Sequence, residues 1–134
     1  MITKTNLQKV LKKLGFSQSD SNALFLKHFA QHNCDIQVDC SKEIIIYPTE
    51  IDTGANTTTN FSQNENFVVL ECVCRLLEKG YDPKTLFLEK SWLLGHTGKS
   101  GRADITVYDK DTVGNPNQAY LIIECKCSGK EFKN

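Results

Sequence analysis

The chain has no excess charge of either sign: its 134 residues carry 16 Lys and Arg against 16 Asp and Glu. A free-standing DNA binder draws much of its affinity from phosphate contacts and counterion release, and is usually basic. Neutrality therefore implies that tight DNA binding and sequence choice, if this chain serves them, reside in other domains or subunits. No apolar run approaches the ~20 residues of a membrane-spanning helix, and the first residues given do not read as a secretory leader. These absences predict a cytoplasmic protein with no membrane partner and with reduced thiols. The cysteines at 34, 40, 72, 74, 125 and 127 contain no C-x2-C pair and no zinc-ribbon spacing, which argues against a structural zinc site or a disulfide-framed module. Cys72 and Cys74, two apart on a helix, diverge by about 200° and do not share one ion. Cys125 and Cys127 read as small apolar packing residues. Gly98-Lys99-Ser100 lacks the first glycine of a Walker A loop, because position 93 is Leu. No internal repeat is present.

What the chain does have is an ordered α+β pattern. Thr5 to Leu14 reads as an amphipathic helix stopped by Gly15; 23–29 allows helix or strand on pattern alone and is read as a strand. Asp35–Cys40 and Ile44–Tyr47 read as a hairpin closed by Pro48. Residues 52–64, rich in Thr and Asn, read as a polar linker. A helix over 64–79 follows, then strands over 86–94, 105–108 and 119–127, with a glycine-rich basic loop over 95–102 and a return loop over 109–118. The expected architecture is α/β (α+β): residues 1–60 as a helix, hairpin and linker packing on a core, and 61–134 as that core, a small mixed sheet flanked by helices.

The segment Gly101 to Lys126 is chemically the most telling. Asp104 precedes a strand in which Glu124 and Lys126 are two apart, and side chains two apart on a strand share a face. Around them Leu121, Ile122 and Ile123 indicate burial. A carboxylate and an ammonium there need a partner, an ion or a wet cleft, because burying either charge alone costs several kcal/mol, roughly. Antiparallel pairing of the last two strands would bring Asp104 near Glu124. Two hard carboxylates, completed by carbonyl and water oxygens, suit Mg²⁺, with Mn²⁺ as a substitute. The plainer reading of the same residues is a structural Glu–Lys pair beside a turn aspartate.

At Ala103-Asp104 and Glu124-Cys125-Lys126 the chain resembles the PD-(D/E)XK nuclease superfamily. Alanine stands where the pattern has proline, while the aspartate is retained. The context Gly-Arg-Ala-Asp-Ile and Ile-Ile-Glu-Cys-Lys is similar to the N-terminal nuclease domain of type I and related restriction-modification enzymes. The likeness extends back through Glu65, the helix to Leu77, Gly80-Tyr81 and Glu89. It implies a restriction-endonuclease-like core and Mg²⁺-dependent hydrolysis of DNA phosphodiesters leaving 5′ phosphates. Asp104, Glu124 and a carbonyl of Cys125 would be metal ligands and Lys126 would orient the water. The superfamily core continues with a helix after the lysine strand, so the chain reads as a piece truncated at its C-terminus. Its partners would be DNA and the methyltransferase, specificity or motor parts of a restriction-modification enzyme. The alternative is a non-catalytic DNA-docking or subunit-assembly module of the same fold.

Glu65 has two readings. It edges the buried stripe of its helix beside Val69, Cys72 and Leu76, where the superfamily often places an extra acid, whereas Glu71 falls on the solvated face. Ser62-x-x-Glu65 is also a capping box, in which the carboxylate would serve the helix start. Arg102, and less strongly Lys99, are candidates for DNA phosphate contacts.

Overall fold

Apolar residues alternate with a period of two through Leu24–Phe29, Cys34–Asp39 and Ile44–Ile46, and these become strands β2, β3 and β4. Phe25, Phe29, Ile36, Val38 and Ile45 turn inward, while Leu26, His28, Asp35 and Ile46 stay on the outer face. The structure, a computed structural model, is described over residues 1–19, 23–94, 99–109 and 119–125. With β1 (Ser17–Gln18), these strands form an antiparallel meander in the order β1-β2-β3-β4. The hairpin over 35–47 is present. Its turn is organised by Asp39, whose carboxylate accepts the backbone N–H groups of Ser41 and Lys42, both at 3.0 Å.

Helix α1 (Leu7–Lys13) buries Leu7 and Leu11 against this sheet and carries Lys12 and Lys13 in its last turn, where they complement the helix dipole. Lys27 of β2 joins three elements. Its ammonium donates to the Leu14 carbonyl beyond α1 and to the Glu78 carboxylate at 2.7 Å, and it sits 5.1 Å from the centre of the Phe29 ring. Lys27→Met keeps the side chain's length but not its donors, leaving the Leu14 carbonyl without this partner. We expect a loss of about 1–3 kcal/mol, seen as a lower urea midpoint at unchanged slope. An unchanged midpoint would mean that water replaces the ammonium without cost.

Helix α2 (Glu65–Glu78) is buried over a wide arc that includes Phe67, Leu70, Val73, Cys74 and Leu77. Its end is a Schellman motif, with Gly80 at φ 102° giving its N–H to Leu77 and Tyr81 giving its N–H to Leu76, both at 3.1 Å. A 3₁₀ turn (Pro83–Thr85), capped by the Asp82 side chain, leads into β5 (Leu86–Leu94). β6 (Lys99–Tyr108) and β7 (Ala119–Ile123) complete a second sheet in the order β5-β6-β7. Buried residues of both halves, from Leu11 and Phe25 to Leu77, Leu86 and Ile105, form one hydrophobic core.

The sequence expectations are corrected in four places. Both sheets are antiparallel within the described residues rather than mixed; the parallel contact is a single bridge between Asp52 and Phe87. The run 52–64 is packed rather than a loose linker. Ile51 and Phe61 anchor its ends in the core, Asp52 exchanges hydrogen bonds with Leu86 and Leu88, and Ile45 donates to Thr59. Lys99–Arg102 have strand backbone paired with Ser91–Leu94, so the expected basic loop is shorter by that stretch. β7 stops at Ile123 and is not the buried strand expected, since Leu121 and Ile122 are exposed. Among the described residues, no helix is long and apolar enough to cross a membrane.

Candidate functional site

The site is built on the middle strand of the second sheet. β6 pairs with β5 as Leu88–Ile105 and Lys90–Ala103, and with β7 as Ile105–Ile123. Continuing these registers by one residue sets Glu89 opposite Asp104 on one side and Glu124 opposite Asp104 on the other. Glu89 and Asp104 thus lie on neighbouring strands, with Glu124 one residue beyond the end of the third. Asp104 is half-buried, and its Oδ2 accepts the backbone N–H of Cys125 at 2.6 Å, which fixes the carboxylate one residue from Glu124. The expected approach of Asp104 to Glu124 is therefore present. Glu124 is exposed and lies just past the end of β7. A shared strand face for Glu124 and Lys126 requires a strand through both; the ladder ends before Glu124, and Lys126 lies outside the described residues.

Glu89 had no role assigned from sequence beyond its place in the resemblance, and it is the most constrained of the acids. Its backbone is left-handed, with φ 57°, a conformation that costs a non-glycine residue roughly 1–3 kcal/mol and persists only where surroundings enforce it. Its carboxylate is held by Thr57, whose backbone N–H donates to Oε2 at 3.1 Å and whose hydroxyl donates to Oε1. Thr57 is held in turn by Asn66. This buried amide at the head of the inward stripe of α2 donates to the carbonyls of Thr57 and Asn60 at 3.1 and 3.0 Å. A polar residue in line with Leu70, Val73 and Leu77 is the sequence signal that points to it. Asn66→Ala leaves the two carbonyls without this donor. We expect a loss of about 2–3 kcal/mol, and faster amide exchange over 57–60 than elsewhere in the chain; uniform exchange would show that the amide does not hold that segment.

Glu65 is the first residue of α2, and the capping box does not form. Asn64 occupies the cap position with helical dihedrals and no side-chain cap bond, while the Ser62 hydroxyl donates to Asn60 Oδ1 at 2.5 Å. Asn60 competes for Ser62 because the 57–60 segment is itself pinned to the helix. Glu65, half-buried, instead lines a cleft of about 440 Å³ together with Glu89 and Asp104. The remaining lining is mostly uncharged and polar, including Asn56, Thr57, Asn60 and Gln63. Glu71 lies on the solvated face as predicted, paired with Arg75 at 2.9 Å.

Beneath Asp104 lies a sulfur contact that the sequence did not disclose. The thiol of Cys125, 3% exposed, donates to that of Cys72 on α2, with the sulfurs 3.8 Å apart. That bond, with burial second, pushes the Cys125 thiol well up, and it lowers Cys72 to about 7. Burial raises Cys74, on the inner side of the helix, to about 12.

The structure thus gathers Glu65, Glu89 and Asp104 around one cleft and puts Glu124 and Cys125 beside Asp104. The backbone of Lys99 and Arg102 lies in β6, and their side chains lie outside the described structure. Among the described residues, no three His, Cys, Asp or Glu side chains converge as a ready-made metal cage. Mg²⁺ does not require one, since it is commonly held by one or two carboxylates, several waters and substrate phosphate oxygens. The hard oxygen donors of Asp104 and Glu124, with the carbonyl of Cys125, fit that mode. No family model matches the chain, and no curated protein or solved structure matches it significantly.

Proposed function

We propose that the chain is a metal-dependent endodeoxyribonuclease domain, the cleaving part of a restriction-modification enzyme working in the cytoplasm. The observation that carries this reading is the setting of Asp104: on the middle strand, bonded to the N–H of Cys125, one residue from Glu124, and lining a polar cleft with Glu65 and Glu89. The order of elements supports it as well, since a helix bearing Glu65 followed by three antiparallel strands bearing the acids is what a restriction-endonuclease-like core would supply.

Asp104 and Glu124 would hold Mg²⁺ or Mn²⁺, which when bound supplies Lewis-acid polarisation of a phosphodiester and favours ionisation of water. The Cys125 N–H orients the Asp104 carboxylate and leaves Oδ1 for the cleft. Lys126 would position the attacking water and offset charge on the phosphorane, and Glu65 would add an acid from the helix side. The amides of Asn56, Asn60 and Gln63 on the polar wall offer donors to a sugar-phosphate strand. Arg102 and Lys99 would add phosphate contacts. Neutral net charge fits a domain that relies on companion parts for recognition.

A docking module of the same fold would need no metal at these acids. Mn²⁺ titration followed by calorimetry separates the two. A nuclease site binds the ion, with binding weakened in Asp104→Asn and Glu124→Gln; equal binding in all three, or none, favours docking.

A further inference from the structure

We propose that Cys72 and Cys125 form a redox-active dithiol that closes to a disulfide, fastening α2 to the chain just beyond β7 beneath the acidic cleft. The two sulfurs are 3.8 Å apart although the residues are 53 positions apart in sequence. A disulfide needs them at ~2.05 Å, an approach within reach of side-chain rotation aided by a small backbone shift. Cys125 lies past the end of the β6–β7 ladder, where its N–H is held by the Asp104 carboxylate rather than by a strand partner, so the shift carries that one bond with it. Access is also graded suitably. Cys72 is half-buried and Cys125 is 3% exposed, so an oxidant meets Cys72 first and Cys125 is held behind it as the resolving thiol. Cys74, although two residues away, is fully buried on the other side of the helix.

With hydrogen peroxide as oxidant the steps balance. The Cys72 sulfur attacks one peroxide oxygen, the O–O bond breaks, and a sulfenic acid and one water result. The Cys125 sulfur then attacks the Cys72 sulfur, the S–O bond breaks, and the thiol proton leaves with the hydroxide as a second water. Two thiols lose two electrons and two protons, and one peroxide becomes two waters. The crosslink reaches the candidate site directly, because the residue it pulls on is the one whose N–H holds Asp104 at 2.6 Å. Formation of the bond does not depend on whether that site cleaves DNA.

The test is peptide mapping of the folded full chain after treatment with a few equivalents of hydrogen peroxide and alkylation of the remaining thiols. The expected product is a monomer lighter by two hydrogens, with a peptide joining Cys72 to Cys125 that dithiothreitol separates. Its melting temperature should rise by several degrees, because the link closes a long loop in the unfolded chain. Cys74→Ser and Cys40→Ser should keep the link, and Cys72→Ser should lose it. A different pairing, an intermolecular dimer, over-oxidation of Cys72 without a link, or no reaction would each overturn the proposal. The wild-type map decides this even where a variant folds poorly.

Discussion

Asp104→Ala is expected to lower the proposed metal-dependent cleavage by roughly 10³-fold or more, equivalent to about 4 kcal/mol of transition-state stabilisation. Two contributions are removed together: a ligand for the ion, and the acceptor that fixes the Cys125 N–H. Asp104→Asn separates them. Its amide oxygen still accepts from Cys125, so melting should stay within a degree or two of wild type, while the lost negative charge should silence cleavage almost as fully as alanine does. Single-turnover nicking at saturating Mg²⁺, with melting curves alongside, reads both. Activity retained in Asp104→Asn would show that the carboxylate is structural and is not a ligand.

Gly54→Ala should be the most destabilising small substitution near the site, costing about 2–4 kcal/mol and lowering the melting temperature by roughly 10 °C. Gly54 has φ 60°, and an added Cβ would lie 2.7 Å from the Leu88 carbonyl oxygen, a backbone atom that cannot swing aside. The same carbonyl belongs to the strand residue just before Glu89. Relief of the clash therefore displaces the segment that carries Thr57 away from β5 and loosens the hold on the left-handed Glu89. A drop of only a degree or two would mean that β5 yields at Leu88, and that the Asp52 bridge is not a fixed point of the fold.

The parts of this fold that were legible in the sequence are those set by local periodicity. The two-residue alternation around Ile36 and Ile45 marked two strands and the Leu7–Leu11 and Val69–Leu76 spacings marked two helices, whereas the pattern at 23–29 allowed a helix as well as the strand it forms. The pairing that brings Asp104 to Glu124 followed from two adjacent strands and their connecting loop. The remainder depends on contacts distant in sequence. Nothing local to Asp52–Asn64 signals order, because its packing comes from Ile51, Phe61 and Asn66 gripping it from elsewhere. The Ser62–Glu65 capping signal failed for the same reason: Asn60, positioned by Asn66, takes the serine hydroxyl first. Glu89 adopts a conformation that no propensity favours, with its carboxylate held by Thr57, 32 positions away. The Cys72–Cys125 contact joins a helix to a strand end, and the helical divergence of Cys72 from Cys74 excluded only their sharing one ion.

The most direct test of the nuclease proposal is nicking of supercoiled plasmid at low salt with Mg²⁺ or Mn²⁺, comparing the chain with its Asp104→Ala and Lys126→Ala variants. The proposed site predicts metal-dependent conversion to open circles that both substitutions abolish. Absence of metal-dependent cleavage by the chain, or cleavage that persists in both variants, would contradict it.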